Sequence, residues 1–215
     1  MARDHARIRL DIWNDDDWRY LTSSGQWLYM FLLTQPSLTF AGVADWRPAK
    51  IAAHTAELTG TDVETFAAEL EEGRFILCDR RSEEVLIRSF VKHDGLMKSP
   101  NMAVALAKDH GRIGSSVLRA VIVDQLHTLR EAKPTLKGWG KPEVGTLLEK
   151  RSMTFEEGFA ALPDNPSGNP SANPSGKGSG NPSATPFLPN SLPPGLLSSS
   201  SPLPETHQRS ARAGA

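Results

Sequence analysis

The chain has 215 residues, a formal net charge of −1 and 39% hydrophobic residues, which bounds it to one or two small domains and leaves overall charge silent about a nucleic-acid partner. Cys78 is its single cysteine, so an intramolecular disulfide and a cysteine-based zinc site are excluded. No run approaches the roughly 18 apolar residues of a membrane span, and "MARDHARIRLDIW" lacks an apolar signal core, so a cytoplasmic protein without membrane contact is expected.

The first element is "ARIRLDIW", where Ile8, Leu10 and Ile12 alternate with Arg7, Arg9 and Asp11; period two predicts a half-buried strand. "NDDD" stops it and offers capping carboxylates to a short helix, "DDDWRYL". "SSGQWLYMFLLTQP" then predicts a helix with a serine cap that ends at Pro36. Its run from Trp27 to Leu33 is apolar all round, so the helix is either central to a core or part of a subunit interface. "LTFAGVADW" reads as a short strand broken by Gly42. Pro48 suits a first helical position, and Gly60 is read as the end of that helix. Thr61 and Glu64 have capping-box spacing, and Val63, Phe66, Ala67 and Leu70 form one stripe of a helix that Gly73 ends. "RFILCD" and "EVLIRSF" predict two strands joined through "RRSE". Cys78 sits in the first of them and reads as a buried, inert thiol.

Ser99, Pro100 and Gly111 bracket the next helix. "GSSVLRAVIVDQLHTLREA" is longer, with Leu118, Ile122, Leu126 and Leu129 on one side. "KPTLKGWGKPEVGTLLEKR" is basic and broken by Gly and Pro, with one short helix near Glu143 to Lys150. "TFEEGFAALP" is a last short helix. From Pro163 to Ala215, Pro, Ser, Gly and Asn make up 33 of 53 residues, Phe187 is the one aromatic, and N-P-S occurs four times. Such a segment buries too little apolar surface to offset its ordering entropy, about 1–2 kcal/mol per residue, and is expected to be disordered.

Strand, helix, small strand, two helices and a hairpin make a winged helix-turn-helix. The predicted class is therefore mainly α, formally α+β. A winged helix-turn-helix domain spans 1–98, a helical segment with a basic Gly/Pro-broken stretch spans 99–162, and a low-complexity tail spans 163–215. "RIRLDIWNDDDWRYL", "GQWLYMFLLTQP", "AGV", the Pro48 helix and "LEEGRFILCDRRSEEVLIRSFVKHDG…KSPN" also resemble the N-terminal winged-helix domain of phage and actinobacterial replication-organiser proteins of the DnaD-like type. The resemblance covers about residues 6–101. It implies DNA binding in replication initiation, or a regulatory role, together with homo-oligomers and contact with replication proteins such as a helicase. The family's second-domain helix motif, running from a tyrosine to a tryptophan, is absent, because the only tyrosines are Tyr20 and Tyr29.

One feature opposes DNA binding. The helix placed to enter a groove carries Asp62, Glu64, Glu69, Glu71 and Glu72 and no Lys or Arg, whereas DNA affinity is dominated by cationic contacts to phosphate. Bases lie elsewhere: residues 1–75 carry 7 basic and 12 acidic residues, and residues 76–162 carry 14 and 11. Candidate phosphate contacts are Arg47 and Lys50, Arg80 and Arg81 at the wing tip, and Arg88, Lys92 and Lys98 beyond it. Strand alternation puts Arg88 on an outward face shared with Leu86. Alternatively, Arg80 and Arg81 pair with Glu83 and Glu84 and only solubilise the hairpin. Lys133, Lys137 and Lys141 interleave with Trp139, which either stacks on a base or docks the segment on the core. Trp27, Tyr29, Met30 and Phe31 are the interface candidates. Duplex DNA is the expected ligand in preference to a single strand. The alternative is a protein-docking module without DNA contact.

An enzyme is not expected. His93–Asp94 and Asp109–His110 lack metal-ligand spacing, no P-loop, G-x-S-x-G or dinucleotide fingerprint occurs, and Ser115 and Ser116 sit at a helix start where capping explains them. No cofactor follows from these residues. Removing everything after Leu162 is expected to leave the thermal midpoint nearly unchanged, because no apolar stripe lies beyond it. Calorimetry of the full chain and of residues 1–162 checks this, and a large loss of Tm would mean that the removed segment packs.

Overall fold

Short oxygen-bearing side chains start the helices by accepting from their first backbone N–H groups. In the computed structural model, which describes Ala6, Ile8 and residues 10–162, Asp15 accepts from the Trp18 N–H at 3.1 Å to open α1 (Asp16–Tyr20). Thr22, one residue before the predicted serine, accepts from the Gly25 N–H at 3.1 Å to open α2 (Ser23–Thr34). Pro48 is the first residue of α3 (Pro48–Ala52), as read. The capping box of α4 (Gly60–Glu72) is formed by Thr59 and Asp62, two residues earlier than predicted, so Gly60 opens this helix and does not close the previous one. Glu64 cannot serve as the box residue because other donors hold it.

The described residues include one three-stranded antiparallel sheet in the order β1-β3-β2, from β1 (Val43–Asp45), β2 (Ile76–Asp79) and β3 (Glu84–Ile87). Val43 lies opposite Leu86, Leu77 opposite Leu86, and Cys78 opposite Val85. Gly42, just before β1, has φ +80°, and a methyl there would stand 3.0 Å from Cβ of Phe90. Both the left-handed backbone and the close approach call for glycine. Among the described residues the predicted first strand is absent. Leu10–Asn14 is a 3₁₀ turn with Leu10 exposed, because no strand lies beside it to pair with its alternating residues. Arg7 and Arg9 lie outside the described residues, as does everything read as the low-complexity tail from Pro163 onward.

Beyond β3 come α5 (Phe90–His93), a 3₁₀ turn Leu96–Lys98, α6 (Pro100–His110), α7 (Ser116–Ala132), a 3₁₀ turn Lys137–Gly140, α8 (Pro142–Leu148) and α9 (Phe155–Ala161). Leu118, Ile122, Leu126 and Leu129 of α7 are buried as predicted. Among the described residues no helix is long and apolar enough to cross a membrane.

The sheet is covered on both faces. Ile76, Cys78, Val85 and Ile87 share a core with Val63, Ala67 and Leu70 of α4. The opposite face, with Leu77 and Leu86, lies under α7 and α9. A methyl on Gly158 of α9 would meet Cγ2 of Val121 at 2.5 Å and Cδ2 of Leu77 at 3.3 Å. The expectation of an outward Leu86 therefore fails, because helices from residues 99–162 cover the face that period-two alternation assigned to solvent. The same contacts draw α6–α9 into one apolar core with the first hundred residues. Gly158→Ala overpacks this junction, at a cost of about 1–3 kcal/mol. A Tm lower by roughly 2–8 °C in a thermal melt is the expected result.

Candidate nucleic-acid interface

Most carboxylates of α4 have bonding partners within the fold. Asp62 accepts from the Thr59 N–H at 2.8 Å and from its hydroxyl at 2.7 Å, and these bonds hold its carboxyl below the usual range. Glu69 reaches across to the start of α2 and accepts from the Thr22 N–H and hydroxyl, both at 2.6 Å. Glu64 accepts from Nε1 of Trp46 at 3.2 Å and from Arg80 at 2.8 Å. Glu71 has a side chain only 1% exposed, accepts from the Cys78 N–H at 3.1 Å and pairs with Arg80 at 3.0 Å. Four of the five acidic side chains thus bond within the fold, and Glu72 stays exposed.

Arg80 is the hub of this cluster. Its side chain is 18% exposed and lies between Glu64 and Glu71. Burial works against its charge, but the hydrogen bonds and charge of Glu71, with those of Glu64, raise its pKa above the ordinary arginine value. Nearby, burial and the Glu71 carboxylate push the Cys78 thiol well up, so it is inert, as read. Read as a phosphate contact at the wing tip, Arg80 has its guanidinium held by Glu64 and Glu71, which both lie on α4. The alternative pairing within the hairpin is also different from the one read. Glu83 pairs with Arg47 at 3.1 Å, and Glu84 accepts from the Gly114 and Ser115 N–H groups, each at 2.8 Å, where α7 begins. Nothing in a hairpin sequence shows that its acids bond outside the hairpin. Glu64 and Glu71, however, are one heptad apart and flank the apolar stripe, a signal for a buried cation that sequence reasoning missed.

Of the other candidates, Lys50, Arg81, Lys92 and Lys98 are exposed. Arg47, Lys50 and Arg80 line, with Trp46, Glu64 and Glu83, an open hollow of about 450 Å³ between α3 and the hairpin. Arg88 is exposed but turns back: it donates to the Arg74 carbonyl at 3.4 Å, and its guanidinium lies 5.3 Å from the ring centroid of Phe155. In the second basic stretch Lys133 and Lys137 are exposed and Lys141 is half-buried. Trp139 is half-buried too, packed against the core with Nε1 donating to the Lys133 carbonyl at 2.8 Å. Of its two readings, docking is the one this geometry matches. Lys98 belongs with this stretch and not with the hairpin, since Gly138 packs directly on Met97.

Of the interface candidates on α2, Tyr29 faces inward, and Trp27, Met30 and Phe31 are half-buried. Tyr29 is buried, and its hydroxyl lies 2.9 Å from that of Ser89. Trp27 stacks on Phe31 at 5.5 Å, Phe31 packs on His54 at 5.0 Å, and Met30 is half-buried against the core. Leu28, Tyr29 and Leu32 set one side of the helix in the core, while Trp27 lines an open hollow with Leu58 and Phe66. The large apolar side chains that are exposed among the described residues are Ile8, Leu10, Trp13 and Tyr20, the last two at 61% and 89%.

His110 is buried, with Nε2 3.0 Å from the Arg119 carbonyl and Nδ1 without a partner; burial, then the charges of Lys150 and Arg119, keep its pKa low. Asp109 accepts from the Phe40 N–H at 3.0 Å and pairs with Arg112. Both residues tie α6 to its neighbours. Compared with family models, with curated proteins and with solved structures, the chain matches none.

Arg80→Ala would leave the Glu71 carboxylate buried without its cation, which costs about 3–5 kcal/mol. Urea or thermal unfolding is expected to show Tm lower by roughly 10 °C. A variant as stable as the parent would mean that Arg80 is not structural.

Proposed function

We propose that the chain is a winged-helix DNA-binding protein that serves replication initiation, as a phage or prophage replisome organiser of the DnaD-like type. The order α2, β1, α3, α4, β2, β3, with sheet order β1-β3-β2, supports the winged-helix reading. The sequence resemblance over about residues 6–101 supports the family.

One observation carries the DNA reading: Glu64, Glu69 and Glu71 of α4 bond to other parts of the fold, while Lys50 on α3 and Arg81 in the hairpin are exposed and, among the described residues, form no ion pair with a carboxylate. Hydrogen bonds to backbone donors leave a carboxylate its charge, so α4 still repels phosphate. Contact therefore falls to α3 and the hairpin. Duplex DNA fits these separated cations better than a single strand, because no exposed aromatic accompanies them to stack on bases.

A second reading, a docking module for a second copy or for a replication protein such as a helicase, is favoured by the exposed Leu10, Trp13 and Tyr20. Anisotropy titrations of the full chain with duplex and single-stranded oligonucleotides, at about 50 and 200 mM salt, separate the two readings. Binding to duplex is expected, and Lys50→Ala with Arg81→Ala should flatten the log–log salt slope by roughly 0.9 per lost contact without lowering Tm. Absence of binding to either oligonucleotide at low salt, with Trp13→Ser abolishing assembly with a protein, would replace the first reading with the second.

A further inference from the structure

We propose that the 3₁₀ turn Lys137–Gly140, together with Lys98, forms a second phosphate-binding surface that takes the backbone of a nucleic-acid strand. Its choice of ligand rests on the nucleic-acid reading above, but its residues lie apart from α3 and the hairpin. Gly138 makes the surface. Without a side chain it seats against the turn Leu96–Lys98 and against α6; a methyl there would stand 2.8 Å from the Met97 carbonyl oxygen and 2.8 Å from Cβ of Ala103. That approach puts the Cα atoms of Lys98 and Lys137 no more than roughly 14 Å apart, one peptide step to either side of the contact. Two lysines distant in sequence thus lie on adjoining turns.

The rest of the segment is held over the same turn. The Trp139 indole donates to the Lys133 carbonyl at 2.8 Å and packs against the core, so Lys133 folds back toward Lys137. The Lys141 N–H returns to the Gly138 carbonyl at 3.3 Å. Lys98, Lys133 and Lys137 are exposed, and no ion pair among the described residues involves any of the four lysines. Cations whose backbone is fixed and whose ammonium groups are unpartnered suit a polyanion with about one charge per 3.4 Å along each strand. Each ammonium is a strongly hydrated point charge with no preferred plane, which fits phosphate contact and not base readout. The surface is therefore sequence-independent. Duplex and single strand share its chemistry, and the aromatic beside it is anchored inward, so it offers no stacking platform.

The test uses the full chain, with a labelled duplex and a labelled single strand in separate titrations over salt. Replacing Lys98, Lys133 and Lys137 with Ala is expected to weaken binding tenfold or more at low salt, and to lower the slope by roughly 2–3 on duplex or about 2 on a single strand, with Tm unchanged. Whichever oligonucleotide shows the loss is the ligand of this surface. Gly138→Ala keeps every charge but displaces the turn, and should reproduce part of the loss. An unchanged slope in the triple variant, while Lys50→Ala with Arg81→Ala flattens it, overturns this surface and leaves the first reading standing. No binding by the parent chain to either oligonucleotide overturns both.

Discussion

Arg80 between Glu64 and Glu71 is the contact on which the arrangement of the first hundred residues turns. It joins the end of β2 to the middle and the end of α4, and Glu64 extends the link to the Trp46 indole beside α3. A buried ion pair adds little to stability against an apolar substitute, since desolvation offsets most of the attraction. Its effect on specificity is larger. Sliding β2 by one residue would carry Arg80 to the other face of the sheet and leave the Glu71 carboxylate buried without its cation. Register, helix orientation and hairpin position are thus tied to one guanidinium. The same bonds turn two acids of α4 toward the hairpin and hold the Arg80 guanidinium between them.

The second constraint is the covering of the sheet. A three-stranded sheet with one solvent face would show alternating polar residues, and this one does not: Leu77 and Leu86 are as buried as Cys78 and Val85. α7 and α9 supply the cover, and the closeness of Gly158 to Val121 permits it. Arg74 clamps the same junction from the side, pairing with Glu156 at 3.1 Å and lying 3.9 Å over the Phe159 ring. With both sheet faces buried, a partner can approach the α3–hairpin side, the Lys98–Lys137 side, or the exposed aromatics of the first turns.

Local signals in the sequence were readable where a residue acts on its own segment. Pro48, Gly111, the apolar stripe of α4 and the hairpin at residues 80–83 all behave as their types dictate. Signals failed where a distant partner decides. "ARIRLDIW" has the right period for a strand, but a strand also needs a neighbour. Thr61 and Glu64 have box spacing, yet Glu64 is taken by residues 18 and 16 positions away, and Thr59 with Asp62 caps instead. Gly73 ends α4 as read, but the left-handed residue is Arg74, at φ +60°. Gly73 is required for another reason: a methyl there would stand 2.9 Å from the Phe75 ring. The basic residues were all visible, but their grouping was not. Arg80 faces inward, Arg88 turns to Phe155, and Lys98 joins a segment some forty residues further on.

These placements change what net charge means for a partner. Residues 1–75 carry 12 acidic residues against 7 basic ones, and residues 76–162 carry 14 basic against 11 acidic. A net charge of −1 hides this division, and charge divided this way orients a polyanion before contact only where it is also divided in space. Orientation of this kind acts on association rate and decays over a Debye length, about 10 Å at 0.1 M salt. Close contact then depends on cations that no carboxylate of the chain already holds. Among the described residues, no ion pair with a carboxylate involves the candidates Lys50, Arg81, Arg88, Lys92, Lys98, Lys133, Lys137 or Lys141, whereas Arg47 and Arg80 are paired. A helix this rich in carboxylates repels phosphate, so contact with a polyanion would fall to these cations and not to α4.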